Sequence, residues 1–173
     1  EYAGFIDALR EGGGVTEDVN GGERYGFRAA LRWEPTENLS ITPRFVYQDV
    51  DVDGFNRQEV FNLFANPFTT TRPAVTFDER QQFLLLDEQF RDQTSIGDVT
   101  LEWDAGSIVF TSVSSFTNRD ILVSRDASAL TGSVTISPLG GAGFPASAAL
   151  LPSNLRDTTD LETFTQEARI ASD

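Results

Sequence analysis

Strict two-residue alternation over Arg24–Asp51 constrains this chain more than any other feature. Tyr25, Phe27, Ala29, Leu31 and Trp33 fall on one side, and Gly26, Arg28, Ala30, Arg32 and Glu34 on the other. After a short turn, Leu39, Ile41, Pro43, Phe45 and Tyr47 share a side, opposite Ser40, Thr42, Arg44, Val46 and Gln48. A period of two over both arms reads as a β-hairpin with one apolar and one polar face. The apolar face carries aromatics at both ends. The open question is whether a second sheet or lipid meets it.

The same alternation recurs downstream. Strands are expected at about 24–34, 39–51, 94–103, 107–119 and 161–171. Val99, Leu101 and Trp103 oppose Asp98, Thr100 and Glu102, and Phe164, Ala168 and Ile170 oppose Thr165, Glu167 and Arg169. Between the strands lie long segments at about 7–22, 52–92 and 120–160, rich in Gly, Pro, Asn and Asp and read as loops. Gln81–Phe90 has mixed periodicity and reads as a helical turn or an irregular strand. Glu1–Ile6 reads as the tail of a strand, and the absence of Met marks the chain as a piece of something longer.

Composition removes whole classes of chemistry. With no Cys there is no disulfide or thiolate site, and with no His no Ser-His-Asp triad and no imidazole base within this chain. A net charge of −14 argues against nucleic acid as a partner. No apolar run approaches the roughly 20 residues of a membrane helix. That test is blind to transmembrane strands, whose signal is about 10 alternating residues each. Carboxylate pairs for glycoside hydrolysis have no fixed spacing here, so the chain is read as no enzyme, with no cofactor.

Loop order adds an up and a down. The turns at Pro35–Asn38 and Asp104–Gly106 are short, and the segments that alternate with them are long. All short turns then lie at one end of an up-and-down sheet, the asymmetry of outer-membrane barrels. Trp33 and Trp103 each precede a short turn, while Tyr25 and Tyr47 sit at the far strand ends. Eight steps of about 3.3 Å separate Tyr25 from Trp33. At a tilt of about 40° they span a height of about 20 Å, close to the apolar band of such barrels. Tyr25, Trp33, Tyr47 and Trp103 are therefore expected as membrane-girdle residues.

These residues also carry a resemblance. ERYGFRAALRWEPTENLSITPRFVYQ resembles a recurrent hairpin of TonB-dependent outer-membrane receptors, in which R-x-x-L-R-W-x-P straddles a periplasmic turn. DVTLEWDAGSIVFTSVSSFTNRD is similar to the next such hairpin, and FTQEARIAS to a Q-E-x-R-L strand of the family. The resemblance implies one partial domain over 1–173. It would be all-β: part of an antiparallel up-and-down transmembrane β-barrel, with long extracellular loops and short periplasmic turns. It implies residence in the outer membrane of a Gram-negative bacterium, in contact with lipid and lipopolysaccharide. It implies energy-coupled uptake of a scarce, bulky nutrient, most often a ferric siderophore. The TonB complex would act through a plug domain not visible in this sequence.

Within that frame the capture surface falls on Val52–Asp92 and Asp120–Asp160. Phe55, Phe61, Phe64, Phe68 and Arg72 are the ligand-binding candidates, since aromatics and Arg dominate binding hot spots. Asp49, Asp51 and Asp53 precede Gly54 as in a calcium loop. The bidentate Glu is missing, because position 60 is Val60 and Glu59 comes one early. No metal site is therefore expected. The rival from another class is a secreted or surface β-sandwich that binds a ligand such as a carbohydrate. It requires a second sheet over the apolar face of the hairpin.

Overall fold

A computed structural model describes residues 1–61, 75–131, 147 and 150–172. Among the described residues the fold is all-β and mostly antiparallel, with a helical turn at 128–131. Nine strands form among the described residues: β1 (Asp7–Leu9), β2 (Val15–Thr16), β3 (Gly22–Ala30), β4 (Trp33–Thr36), β5 (Leu39–Val52), β6 (Gln81–Phe83), β7 (Gln89–Asp104), β8 (Ile108–Asp126) and β9 (Asn154–Ser172). One six-stranded sheet runs in the order β3-β5-β7-β8-β9, with β4 paired to β5. A three-stranded sheet runs in the order β2-β1-β6.

The opening hairpin forms as the alternation predicts, with one interruption. Leu31 N–H donates to the carbonyl of Pro43 at 3.1 Å. Pro43 has no N–H to return. The ladder breaks at this point, so that β3 ends at Ala30 and β4 begins at Trp33; the register then shifts inside β4, between Trp33 and Thr36. The second short turn is closed by its own side chain. Gly106 N–H donates to Asp104 Oδ1 at 2.8 Å, and Gly106 adopts φ +90°, a backbone state that costs a residue with a Cβ.

Three strands extend beyond their expected bounds: β7 starts at Gln89, β8 continues to Asp126 and β9 begins at Asn154. The segment 7–22, read as a loop, carries β1 and β2, which pair antiparallel. Gln81–Phe83, in the stretch of mixed periodicity, is β6 and pairs parallel with β1. Tyr2 pairs with Gly22 through two backbone hydrogen bonds of 2.9 and 3.2 Å.

Chain packing groups the residues into two compact units. The sheet unit holds Arg24–Val50, Arg91–Ile121 and Thr158–Asp173. The loop unit holds Glu1–Glu23, Asp51–Phe90 and Leu122–Asp157. The buried apolar side chains among the described residues are Ile6, Ala8 and Leu84, all in the loop unit.

Candidate functional site

The sheet unit has two chemically distinct faces. Tyr25, Phe27, Leu31, Trp33, Phe45, Val99 and Trp103 are between 41% and 64% exposed. The buried residues of this unit, among those described, are Ser40, Asp92 and Asp98. Arg44 Nε meets Asp98 Oδ2 at 2.7 Å, and Ser40 Oγ donates to Glu102 at 3.3 Å. Arg119 grips Asp92 with two nitrogens, Nε to Oδ1 at 2.9 Å and an Nη to Oδ2 at 2.5 Å. Alternation thus places cross-strand ion pairs on one face and leaves the apolar face bare.

The aromatic face is ordered across the strands. Ring centroids lie 5.7 Å apart for Phe27 and Phe45, 5.9 Å for Phe27 and Tyr47, and 6.1 Å for Tyr25 and Tyr47. Gly26 allows this close seam, since a Cβ there would sit 2.5 Å from the Tyr47 carbonyl oxygen. The tyrosine end is polar at its tips. Asp49 Oδ2 accepts from the Tyr25 hydroxyl at 3.0 Å, from the Tyr47 hydroxyl at 3.2 Å and from Gln93 at 3.0 Å. Tyr25, Trp33 and Trp103 are exposed and Tyr47 is half-buried.

Asp49 is therefore committed to hydroxyls and an amide. Asp51 accepts from Gln89 Nε2 at 3.1 Å. Because β5 stays extended to Val52, Asp49 and Asp51 stand apart along a strand and do not curl into a loop around an ion. No group of three or more metal-ligating side chains is placed to hold a metal among the described residues.

The loop unit is held by buried polar hubs. Asn20, 1% exposed, accepts from the N–H groups of Phe5 and Ile6 at 2.7 and 2.8 Å and donates to Asn56 at 2.6 Å. The second hub centres on Arg57. Its Nη2 pairs with Glu88 at 2.7 Å and its Nε donates to Gln82 Oε1 at 3.1 Å. Glu88 Oε1 also accepts the Asp126 N–H at 2.9 Å. Asp126 in turn accepts from the N–H groups of Leu85, Leu86 and Ser128. One hub thus ties 57, 82–88 and 126–128 together.

Beside it opens a cleft of about 430 Å³, lined by Arg57–Phe61, Gln82–Leu84, Asp126, Ala127, Ala129 and Leu130. Phe61, 78% exposed, stands on this lining. Phe55 is packed instead: its ring meets Phe90 edge-on at 6.4 Å, and Arg125 lies over it at 4.8 Å. Phe64, Phe68 and Arg72 lie outside the described residues. Sequence reasoning passed over Arg57, Gln82, Glu88 and Asp126. The only local signal was a Gln at the buried position of β6, next to Phe83-Leu84. Its partner Arg57 lies 25 residues away in the chain.

Compared with protein-family models, with curated proteins and with solved structures, the chain matches none.

Proposed function

We propose that this chain is part of an outer-membrane, TonB-dependent active transporter that takes up a bulky, scarce nutrient. In the family that the hairpin motifs resemble, the commonest cargo is a ferric siderophore. The reading is carried by one observation: in the sheet unit Phe27, Leu31 and Trp33 are bare while Asp92 and Asp98 are covered. Such a sheet suits hydrocarbon outside and water or protein inside. The tyrosines with hydrogen-bonded hydroxyls at one end, and the tryptophans beside the short turns, fit two interfacial belts. A sandwich module would need a second sheet on the same aromatic face, where seven large side chains are at least 41% exposed.

In this reading the protein makes and breaks no bond. The sheet is wall, the loops capture ligand, and a plug domain coupled to the TonB complex admits it. The test is fractionation and uptake by the full parent protein. It is expected in the outer membrane, with heat-modifiable migration on gels and loss of nutrient uptake when the gene is deleted. Recovery of the parent as a monodisperse, detergent-free soluble protein sinks the proposal.

A further inference from the structure

The cleft of the loop unit sets apolar side chains beside polar ones that still have bonds to give. Val60, Phe61 and Leu130 are exposed on its lining. Arg57 and Gln58, neighbours in the chain, line it too. The Arg57 side chain is 43% exposed. Its Nε and Nη2 serve Gln82 and Glu88, and its Nη1 is unclaimed among the described residues. Gln58 is exposed, and its amide is unclaimed in the same sense. Two acids, Glu59 and Asp126, share the lining and are half-buried. Glu59 accepts the Phe83 N–H at 3.1 Å, and Asp126 accepts three backbone N–H groups.

These groups restrict what can enter. A pure hydrocarbon would strip water from Arg57 and Gln58 and return no hydrogen bond. An anion would meet a guanidinium already paired with Glu88, with two carboxylates on the same lining. An oxygen that can only accept suits Arg57 and Gln58 but faces the lone pairs of Glu59 and Asp126. A hydroxyl answers both, because it accepts from the donors and can turn its hydrogen toward a carboxylate. We infer that this cleft binds a neutral aromatic diol, its ring against Phe61, Val60 and Leu130 and its adjacent hydroxyls at Arg57 and Gln58. A volume of about 430 Å³ lies within the roughly 300–1,000 Å³ usual for small-molecule sites. The inference rests on the uptake reading for the cleft's role in capture. It deepens that reading by naming an uncharged, hydroxylated cargo in place of the ferric chelate.

The experiment uses the full parent protein in lipid nanodiscs, with empty nanodiscs as the blank, or in plain buffer if it purifies without lipid. The probes are 2,3-dihydroxynaphthalene, its acceptor-only analogue 2,3-dimethoxynaphthalene and the anion 2-naphthoate. The diol is expected to bind saturably and more tightly than either. Gln58→Ala removes an exposed amide that holds nothing else among the described residues, so the fold should survive it. It is expected to weaken the diol by about fivefold, the equivalent of one hydrogen bond. Phe61→Ala, also at an exposed position, should weaken the diol and the dimethoxy compound alike.

Equal binding of the diol and the dimethoxy compound by the unaltered protein overturns the inference, and that comparison needs no variant. Absence of saturable diol binding overturns it too, as does diol binding that Gln58→Ala and Phe61→Ala leave unchanged. Tighter binding of 2-naphthoate than of the diol would make the cleft an anion site, an outcome that sinks the inference and leaves the uptake reading intact. If the parent is missing from the outer membrane, the uptake reading fails while the binding comparison still decides the cleft.

Discussion

In the sheet unit the covered side chains are Ser40, Asp92 and Asp98, while Phe27, Leu31 and Trp33 stand bare. In the loop unit Ile6, Ala8 and Leu84 are covered, together with Asn20, Gln82, Glu88, Ser124 and Ser128, among the described residues. The first is built from alternation: every second residue goes to the ion-paired face, and nothing in the unit needs an apolar core. The second is built from convergence: short strands too small to bury much surface are tied by carboxylates and amides to backbone N–H groups. Buried polar groups are tolerated there because nearly all are hydrogen-bonded. The contrast separates a part that leaves its apolar face bare from a part that makes its own interior.

Substitutions can break that contrast, and the largest effect is expected at Ala29. It is exposed on the aromatic face, halfway between Tyr25 and Trp33. In a lipid-facing wall, Ala29→Lys should destabilise the parent protein by about 2–4 kcal/mol, read as a lower denaturation midpoint in vesicles. On a water-facing sheet the same change stays within about 0.5 kcal/mol. A neutral result erases the distinction between the two units.

Glu88→Gln tests the other side. Arg57 and the Asp126 N–H lose a carboxylate acceptor, and the loop unit should lose about 2 kcal/mol. Limited proteolysis should then cut in the loop unit first; equal protection of the unaltered and altered proteins counts against the hub. Gly26→Ala comes next. Its Cβ would press on the Tyr47 carbonyl oxygen, so overpacking should cost about 1–2 kcal/mol, seen in a thermal melt. The smallest effect belongs to Arg32→Ala. Arg32 pairs with Glu34 at 2.8 Å, but both side chains are more than half exposed. Its removal should shift stability by less than about 0.5 kcal/mol, and a larger loss would show that this end of the sheet is not in water.

The long strands were legible because each carries its own signal. Tyr25, Phe27 and Leu31 against Arg28 and Arg32 need no knowledge of a partner strand. The turn at Asp104–Gly106 was legible for the same reason, since an Asp two residues before a Gly closes it locally. β1, β2 and β6 were not legible. Three residues are too few for a period, and the parallel pairing of Asp7–Leu9 with Gln81–Phe83 joins segments more than 70 residues apart. The outward extensions of β7, β8 and β9 were missed because residues such as Asp120–Asp126 do not alternate cleanly. Of the capture candidates, Phe61 reached a cleft and Phe55 was drawn into packing with Phe90 and Arg125.

By itself the sequence determined a set of alternating strands, their order, the short turns and the face each side chain would take. Those follow from a period of two and from local turn chemistry, which act over a few residues. Only the tertiary structure decided which polar residues meet. Arg57, Gln82, Glu88 and Asp126 come together through chain segments far apart in number, and the unpartnered amide of Gln82 exists only once Arg57 has claimed its oxygen.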